Sequence, residues 1–171
     1  NNLERLVTQS KSVSQKVRLL SVLSTPFSGL MTILSDSQYV ADLLRDESSL
    51  DFMLAGGFQP LARQLLVQNA IDDVADARDS AEAMQRIRKF KQKETIRIAW
   101  GDLVLGHRID LVTAQISAVA AAVCEAALFW CRRRLSEKFG QPFSKHNGDG
   151  DAECRFVILA LGKLGGNELN Y

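Results

Sequence analysis

The chain has 171 residues, of which 46% are hydrophobic and 24% charged, the proportions of an ordinary globular protein. Its 21 basic and 20 acidic side chains leave a net charge of +1, so bulk electrostatics make no case for nucleic acid or an anionic membrane surface. No apolar run approaches the roughly 20 residues that span a bilayer, and the start Asn1-Asn2-Leu3-Glu4-Arg5 lacks a signal-peptide pattern.

From residue 1 to about 140 the apolar spacing predicts helices, over about 2–23, 26–34, 37–45, 48–55, 60–68, 80–105 and 109–139. Ser35-Asp36-Ser37-Gln38 and Asp79-Ser80-Ala81-Glu82 read as capping boxes, with an oxygen acceptor at the helix start and Gln or Glu three residues on. Pro26 and Pro60 suit first-turn positions, and Gly56-Gly57 and Gly140 suit helix C-termini. Along the last helix Ile109, Val112, Ile116, Val119, Val123 and Trp130 form one apolar stripe. Ala118, Ala120, Ala121 and Ala122 leave room there for a close neighbour, most simply the 80–105 helix returning antiparallel.

Arg132-Arg133-Arg134 reads as a solvated helix end that complements the macrodipole. Arg86, Lys89, Lys93 and Arg97 put four cations along one helix face, read as a solvated stripe beside Ile87, Phe90 and Ile98. Cys124, Cys131 and Cys154 are odd in number and lack CxxC spacing, so they read as buried free thiols of a reducing cytoplasm. Residues 141–154 form a polar linker, in which Asn147, Asp149, Asp151 and Glu153 lack the spacing of a calcium loop. His107 and His146 have no partners at ligand spacing and read as surface residues, so no metal ligand is assigned.

The last seventeen residues, about 155–171, change character. Phe156-Val157-Ile158-Leu159-Ala160-Leu161 reads as a strand buried on both faces. It runs into Gly162-Lys163-Leu164-Gly165-Gly166, whose adjacent glycines let backbone N–H groups approach an anion without an intervening Cβ. A Walker A loop fails because Leu164 follows Gly162-Lys163, and GxGxxG fails as well. From the glycines alone a bare structural turn stays open.

Three pieces in order carry a longer resemblance: Ile87 to Leu103 (IRKFKQKETIRIAWGDL), Ile116-Ser117-Ala118-Val119-Ala120, and Phe156 to Tyr171 (FVILALGKLGGNELNY). Together they resemble the bifunctional glutamine synthetase adenylyltransferase/adenylyl-removing enzymes, firmly over residues 85–171 and loosely over 1–84. The resemblance implies two nucleotidyltransferase domains of the polymerase-β type in the parent protein. Glu168-Leu169-Asn170-Tyr171 is more similar to the N-terminal, adenylyl-removing copy, since the other copy usually has glycine where Asn170 stands. Ala160 departs from the family's more frequent glycine.

By resemblance, Gly165 and Gly166 hold the nucleotide phosphates. The metal-binding Asp-x-Asp pair of the family is expected a few residues past Tyr171, so no catalytic residue is assigned within this chain. The implied fold is mainly α: a short-helix region (1–79), a pair of long antiparallel helices (80–140), the linker (141–154), and the first strand and glycine turn of an incomplete nucleotidyltransferase domain (155–171). For the parent enzyme the resemblance implies ATP or ADP and Mg²⁺, glutamine synthetase as partner, a nitrogen-signalling regulatory protein as a further one, and a cytoplasmic location. These residues alone are expected to be inactive and to bind none of the cofactors. The rival expectation is an independent helical interaction module with a non-functional glycine-rich tail.

Overall fold

The computed structural model describes residues 28–144 and 152–171, together with the isolated positions 4, 5 and 8. Apart from those positions the helix expected over 2–23 lies outside the described residues, as do Pro26, His146, Asn147, Asp149 and Asp151. Six helices make the body: α1 (Ser28–Asp36), α2 (Gln38–Leu43), α3 (Glu47–Ala55), α4 (Arg63–Ala75), α5 (Ser80–Leu103) and α6 (Ile109–Phe139). The protein is mainly α, as expected.

Side-chain chemistry sets several of the boundaries. Asp79 caps α5 by accepting from the Glu82 N–H at 2.9 Å. Glu82 does not complete the box on the Asp79 N–H; its carboxylate accepts instead from the Arg78 backbone N–H at 3.1 Å. The other expected box shifts by two residues, since Ser37 rather than Ser35 caps α2. Gly56 (φ 78°) and Gly140 (φ 82°) end α3 and α6 in the left-handed region that disfavours a Cβ. Pro60 stands ahead of α4 rather than in its first turn, because Ala62 is the N-cap, and α4 runs on to Ala75.

Two apolar clusters form the core. In the first, Leu30, Ile33, Leu34, Val40, Ala41, Leu44, Leu50 and Met53 of α1–α3 and the chain just after α2 close around Ile96, Ala99 and Trp100 of α5. In the second, Leu66, Ala70 and Val74 of α4 meet Phe90 and Ile98 of α5 and Val112, Ala118, Val119, Ala122 and Ala126 of α6. The turn at 104–108 brings α6 back antiparallel to α5, yet α6 packs more extensively on α4. The small alanine face therefore serves two neighbours rather than one. By length and composition α6 could cross a membrane, contrary to the sequence expectation, but in this fold its apolar stripe from Val112 to Trp130 belongs to the second cluster, while Ile109, expected in that stripe, is 71% exposed at the helix start.

Polar side chains tie α4 into the bundle. Gln115 of α6 both donates to and accepts from the Leu61 backbone, each at 3.0 Å. The carbonyls at and just beyond the end of α4 are taken by side chains from elsewhere: Asp73 by Arg86 (3.0 Å), Ala75 by Arg133, and Ala77 by the Trp130 indole (3.4 Å). Arg133 is thus half-buried and capping a helix, not a free solvated end.

The cationic stripe is also not one. Arg97 is only 2% exposed, paired to Glu94 at 2.6 Å and donating to the Gln59 carbonyl at 3.0 Å. Glu94 neutralises a charge that burial would otherwise make prohibitive. His107 is half-buried against Gly101, where a Cβ would overlap the imidazole ring. Cys131 and Cys154 are exposed and Cys124 is half-buried, so the thiols are free but not buried as expected.

Two outcomes test this architecture. Helical glycine normally gains about 1 kcal/mol on replacement by alanine, but a Cβ on Gly29 would sit 2.6 Å from the Trp100 ring. Gly29→Ala is therefore expected to lower stability, by about 1–3 kcal/mol as overpacking does, in chemical denaturation. Hydrogen bonds from Arg78 first, and Arg86 second, pull the Glu82 pKa from 4.5 down to about 2. A depressed carboxylate contributes stability above pH 4.5 and loses it as pH falls towards about 2. Glu82→Gln should flatten that stretch of the stability-versus-pH curve, read from urea midpoints.

Candidate functional site: the glycine turn and its seat on the helices

Downstream of α6 the chain makes a small antiparallel ladder, β1 (Phe143–Ser144) with β2 (Ala152–Glu153), pairing Phe143 with Glu153 and Ser144 with Ala152. The ends of the expected linker are thus paired. The Cys154 N–H then donates to the Pro142 carbonyl at 2.8 Å, and residues 154–161 run on without forming a strand.

This corrects the expectation of a strand buried on both faces. Phe156, Val157, Ile158, Leu159 and Leu161 keep 64, 69, 50, 81 and 84% of their surface. Double-sided burial needs a paired sheet with cover on each face, and among the described residues the only ladder is the β1–β2 pair. Phe156 and Ile158 line a hollow of about 700 Å³ against Cys131, Leu135 and Phe139 of α6, and Cys154 shares it.

The glycines fold as a single helical turn, α7 (Gly162–Gly165). Gly162 enters at φ 58°. The turn closes with a Schellman end: Glu168 N–H donates to the Lys163 carbonyl (2.8 Å) and Asn167 N–H to Leu164 (3.3 Å), with Asn167 at φ 58°. Asparagine tolerates that conformation better than most side chains.

Gly165 and Gly166 are together in this turn, with different constraints. A Cβ on Gly165 would lie 2.6 Å from the Ala160 carbonyl oxygen, backbone against backbone. On Gly166 the nearest atom would be the Gly162 oxygen at an ordinary 3.6 Å. Their N–H groups donate to Leu161 (3.3 Å) and Gly162 (3.0 Å). Among the described residues no group of three His, Cys, Asp or Glu side chains is placed to hold a metal ion.

The chain after the turn returns to the helices. The Leu169 N–H donates to the Ser117 hydroxyl oxygen of α6 at 3.0 Å, and Ser117 donates its own proton to the Thr113 carbonyl at 2.9 Å. The Asp102 carboxylate of α5 lies near enough to the Tyr171 hydroxyl to act on its ionisation. Burial, and then that carboxylate, push its pKa up, although Tyr171 as a whole is 60% exposed. The Lys163 ammonium reaches Asn170 Oδ1 at 3.3 Å. Beneath Leu169–Tyr171 lies an apolar cavity of about 560 Å³, floored by Ile98, Ile116, Val119 and Val123. Sequence reasoning did not find Ser117 or Asp102 as partners of the tail. The available signal was a single hydroxyl, Ser117, followed by the apolar run Ala118–Val123.

Comparison with known proteins bears on this turn. The family model of glutamate-ammonia ligase adenylyltransferase matches residues 27–171. A bifunctional glutamine synthetase adenylyltransferase/adenylyl-removing enzyme of Pseudomonas aeruginosa is 36% identical over 95 residues, covering 56% of this chain and 9% of that protein. The enzymes of the same name from Hahella chejuensis and Shewanella oneidensis are each 28% identical, over 154 and 143 residues. Those matches cover 88% and 83% of this chain but only 16% and 15% of the relatives' own lengths. No solved structure matches.

The turn makes its own test. Gly165→Ala should force Ala160 and Gly165 apart, at the 1–3 kcal/mol typical of overpacking. Hydrogen exchange at the Gly166 and Glu168 amides is expected to speed by about tenfold or more, while the melting temperature of the bundle stays unchanged.

Proposed function

This chain belongs to the glutamate-ammonia ligase adenylyltransferase family, and from that membership we propose that it is a segment of an enzyme that adds AMP to, and removes it from, a tyrosine of glutamine synthetase. The segment belongs to the removing half. The observation that carries the reading is the Gly162–Gly166 turn with its following Glu168-Leu169-Asn170-Tyr171, at the end of the matched region. The names of the relatives support glutamine synthetase as the protein substrate.

In the removal reaction an oxygen of inorganic phosphate attacks the tyrosyl-AMP phosphorus. The bond from phosphorus to the tyrosine oxygen breaks, the tyrosine regains a proton, and ADP departs. Within this chain Gly165 and Gly166 are the residues assigned to the nucleotide phosphates. Oriented backbone dipoles stabilise such charge without reorganising during transfer. A phosphate using these two N–H groups would share donors now given to Leu161 and Gly162.

The described residues do not fit Mg²⁺, since they offer no cluster of donors for it. No metal-dependent step is therefore assigned to them, and the metal-binding carboxylates are placed on the strand after the turn in the longer enzyme. ATP, ADP and Mg²⁺ belong to that enzyme, as do a cytoplasmic location and a nitrogen-signalling regulatory partner. The exposed apolar residues 156–161 are the strand that the rest of such a domain would pair and cover.

Two measurements test the reading. Incubated with adenylylated glutamine synthetase, Mg²⁺ and phosphate, these 171 residues should release no ADP above a protein-free control. The longer enzyme should release it, and turnover by the shorter chain would overturn the assignment of the metal site. Extending the chain through the following strand should raise the melting temperature by at least about 5 °C, since each large side chain fully covered contributes about 1.5–3 kcal/mol. An unchanged melting temperature would remove the physical support for an incomplete sheet.

A further inference from the structure

The segment after the glycine turn is held on α6 by a hydrogen bond, and its last residue lies near a carboxylate of α5. Ser117, on α6, is 1% exposed and its hydroxyl is fully used: it donates to Thr113 at 2.9 Å and accepts from Leu169 at 3.0 Å. Its proton is committed to the helix backbone, so its lone pairs are left for the incoming N–H. Asp102, on α5, stands near the Tyr171 hydroxyl, and its charge, after burial, raises that group's pKa. Between the two contacts the apolar cavity of about 560 Å³ leaves Leu169 and Tyr171 without close packing beneath them. Dispersion falls steeply across such a gap, so the hydrogen bonds carry a larger share of the orientation than they would in a filled core.

The path from these contacts to the glycines is short and stiff. Leu169 follows Glu168, whose N–H closes the Schellman end on Lys163. Asn170, between the two anchored residues, accepts from the Lys163 ammonium at 3.3 Å. Gly165 in turn abuts the Ala160 carbonyl, so little slack remains on the upstream side. A shift of Leu169 relative to α6 must move the turn or break its closing bonds.

We propose that Ser117, seconded by Asp102 beside Tyr171, is a positioning residue that sets the orientation of the Gly162–Gly166 turn relative to the α5–α6 pair, a role that rests on the reading of this turn as part of a nucleotide site. Neither residue touches the nucleotide. The helical pair acts as the jig in which the start of the site is mounted. A change in how α6 sits would therefore reach the phosphates through the Ser117 hydrogen bond.

The test has two arms. In this 171-residue chain, hydrogen exchange is followed for Ser117→Ala and Asp102→Ala. Ser117→Ala should speed exchange of the Leu169 amide by about 3- to 10-fold, the worth of one hydrogen bond, with α4–α6 amides unchanged. Asp102→Ala, near the surface, removes the carboxylate beside Tyr171 if the buried serine variant fails to fold. In the longer enzyme, ADP is titrated calorimetrically. Each variant should raise the Kd for ADP by about 3- to 10-fold at unchanged stoichiometry. A merely structural defect would lower the stoichiometry and leave Kd alone. Unchanged Leu169 exchange in Ser117→Ala would overturn the proposal, as would faster exchange with an unchanged Kd. If the wild-type longer enzyme binds no ADP, the nucleotide reading itself fails and the positioning role with it, and the exchange arm then shows whether the contact exists on its own.

Discussion

Residues 96–101 of α5 have no solvent-facing side, and the rest of the fold depends on that. All six are buried, on a helix whose first half is amphipathic and mostly wet. Ile96, Ala99 and Trp100 face the short helices, while Ile98 faces α4 and α6. A helix apolar all round must be wrapped on every side, so α5 acts as the shared wall of two small cores. Neither core is large, and each would be marginal if it had to close without that wall. Trp100 is the largest element of the first, stacked on Phe58 with ring centroids 4.5 Å apart. The wrap also explains why glycine stands at 29 and 101: one lets the indole approach α1, and the other lets the His107 turn fold back on its own helix.

That arrangement puts a charge in the middle of the wrapped stretch. Arg97 lies between Ile96 and Ile98, so the periodicity that buries its neighbours buries it too. Glu94 and the Gln59 carbonyl supply partners for two of its nitrogens, and Nη2 has none. Such a pair adds little net stability, while removal of either member leaves an uncompensated buried charge. Its consequence is specificity of register: the chain just before α4 is pinned to one place on α5.

Much of the body could be read from the sequence because its signals are local. Asp79 before Ala81-Glu82, Gly56, and Gly140 after a charged last turn act within one turn of helix, and each ends or starts an element where expected. What misled was what depends on neighbours distant in sequence. Arg86, Lys89, Lys93 and Arg97 share a face by spacing, yet Arg97 is taken by a loop 38 residues away. Arg133 looks like a charged helix end until the α4 terminus 58 residues earlier arrives beside it. The glycine turn was visible as a turn, whereas its seat on Ser117 and Asp102 was not. Those contacts span 52 and 69 residues and leave no periodic trace.

The segment 156–161 carries the argument from fold to function. Its alternation is structural as well as compositional: Phe156 and Ile158 face the hollow on α6, while Val157, Leu159 and Leu161 are the most exposed of the set. A strand with one apolar face towards a helix needs only half of its residues apolar. This one is apolar on both sides, and its N–H and C=O edges meet no partner strand among the described residues. The proposed nucleotidyltransferase reading accounts for that excess hydrophobicity, since a further sheet would cover the second face and the edges. The turn that follows is ordered: Gly165 packs on Ala160 and the tail is anchored on α6. The turn is thus tied to α6 through Leu169 and Ser117, with the apolar segment running between β2 and α7.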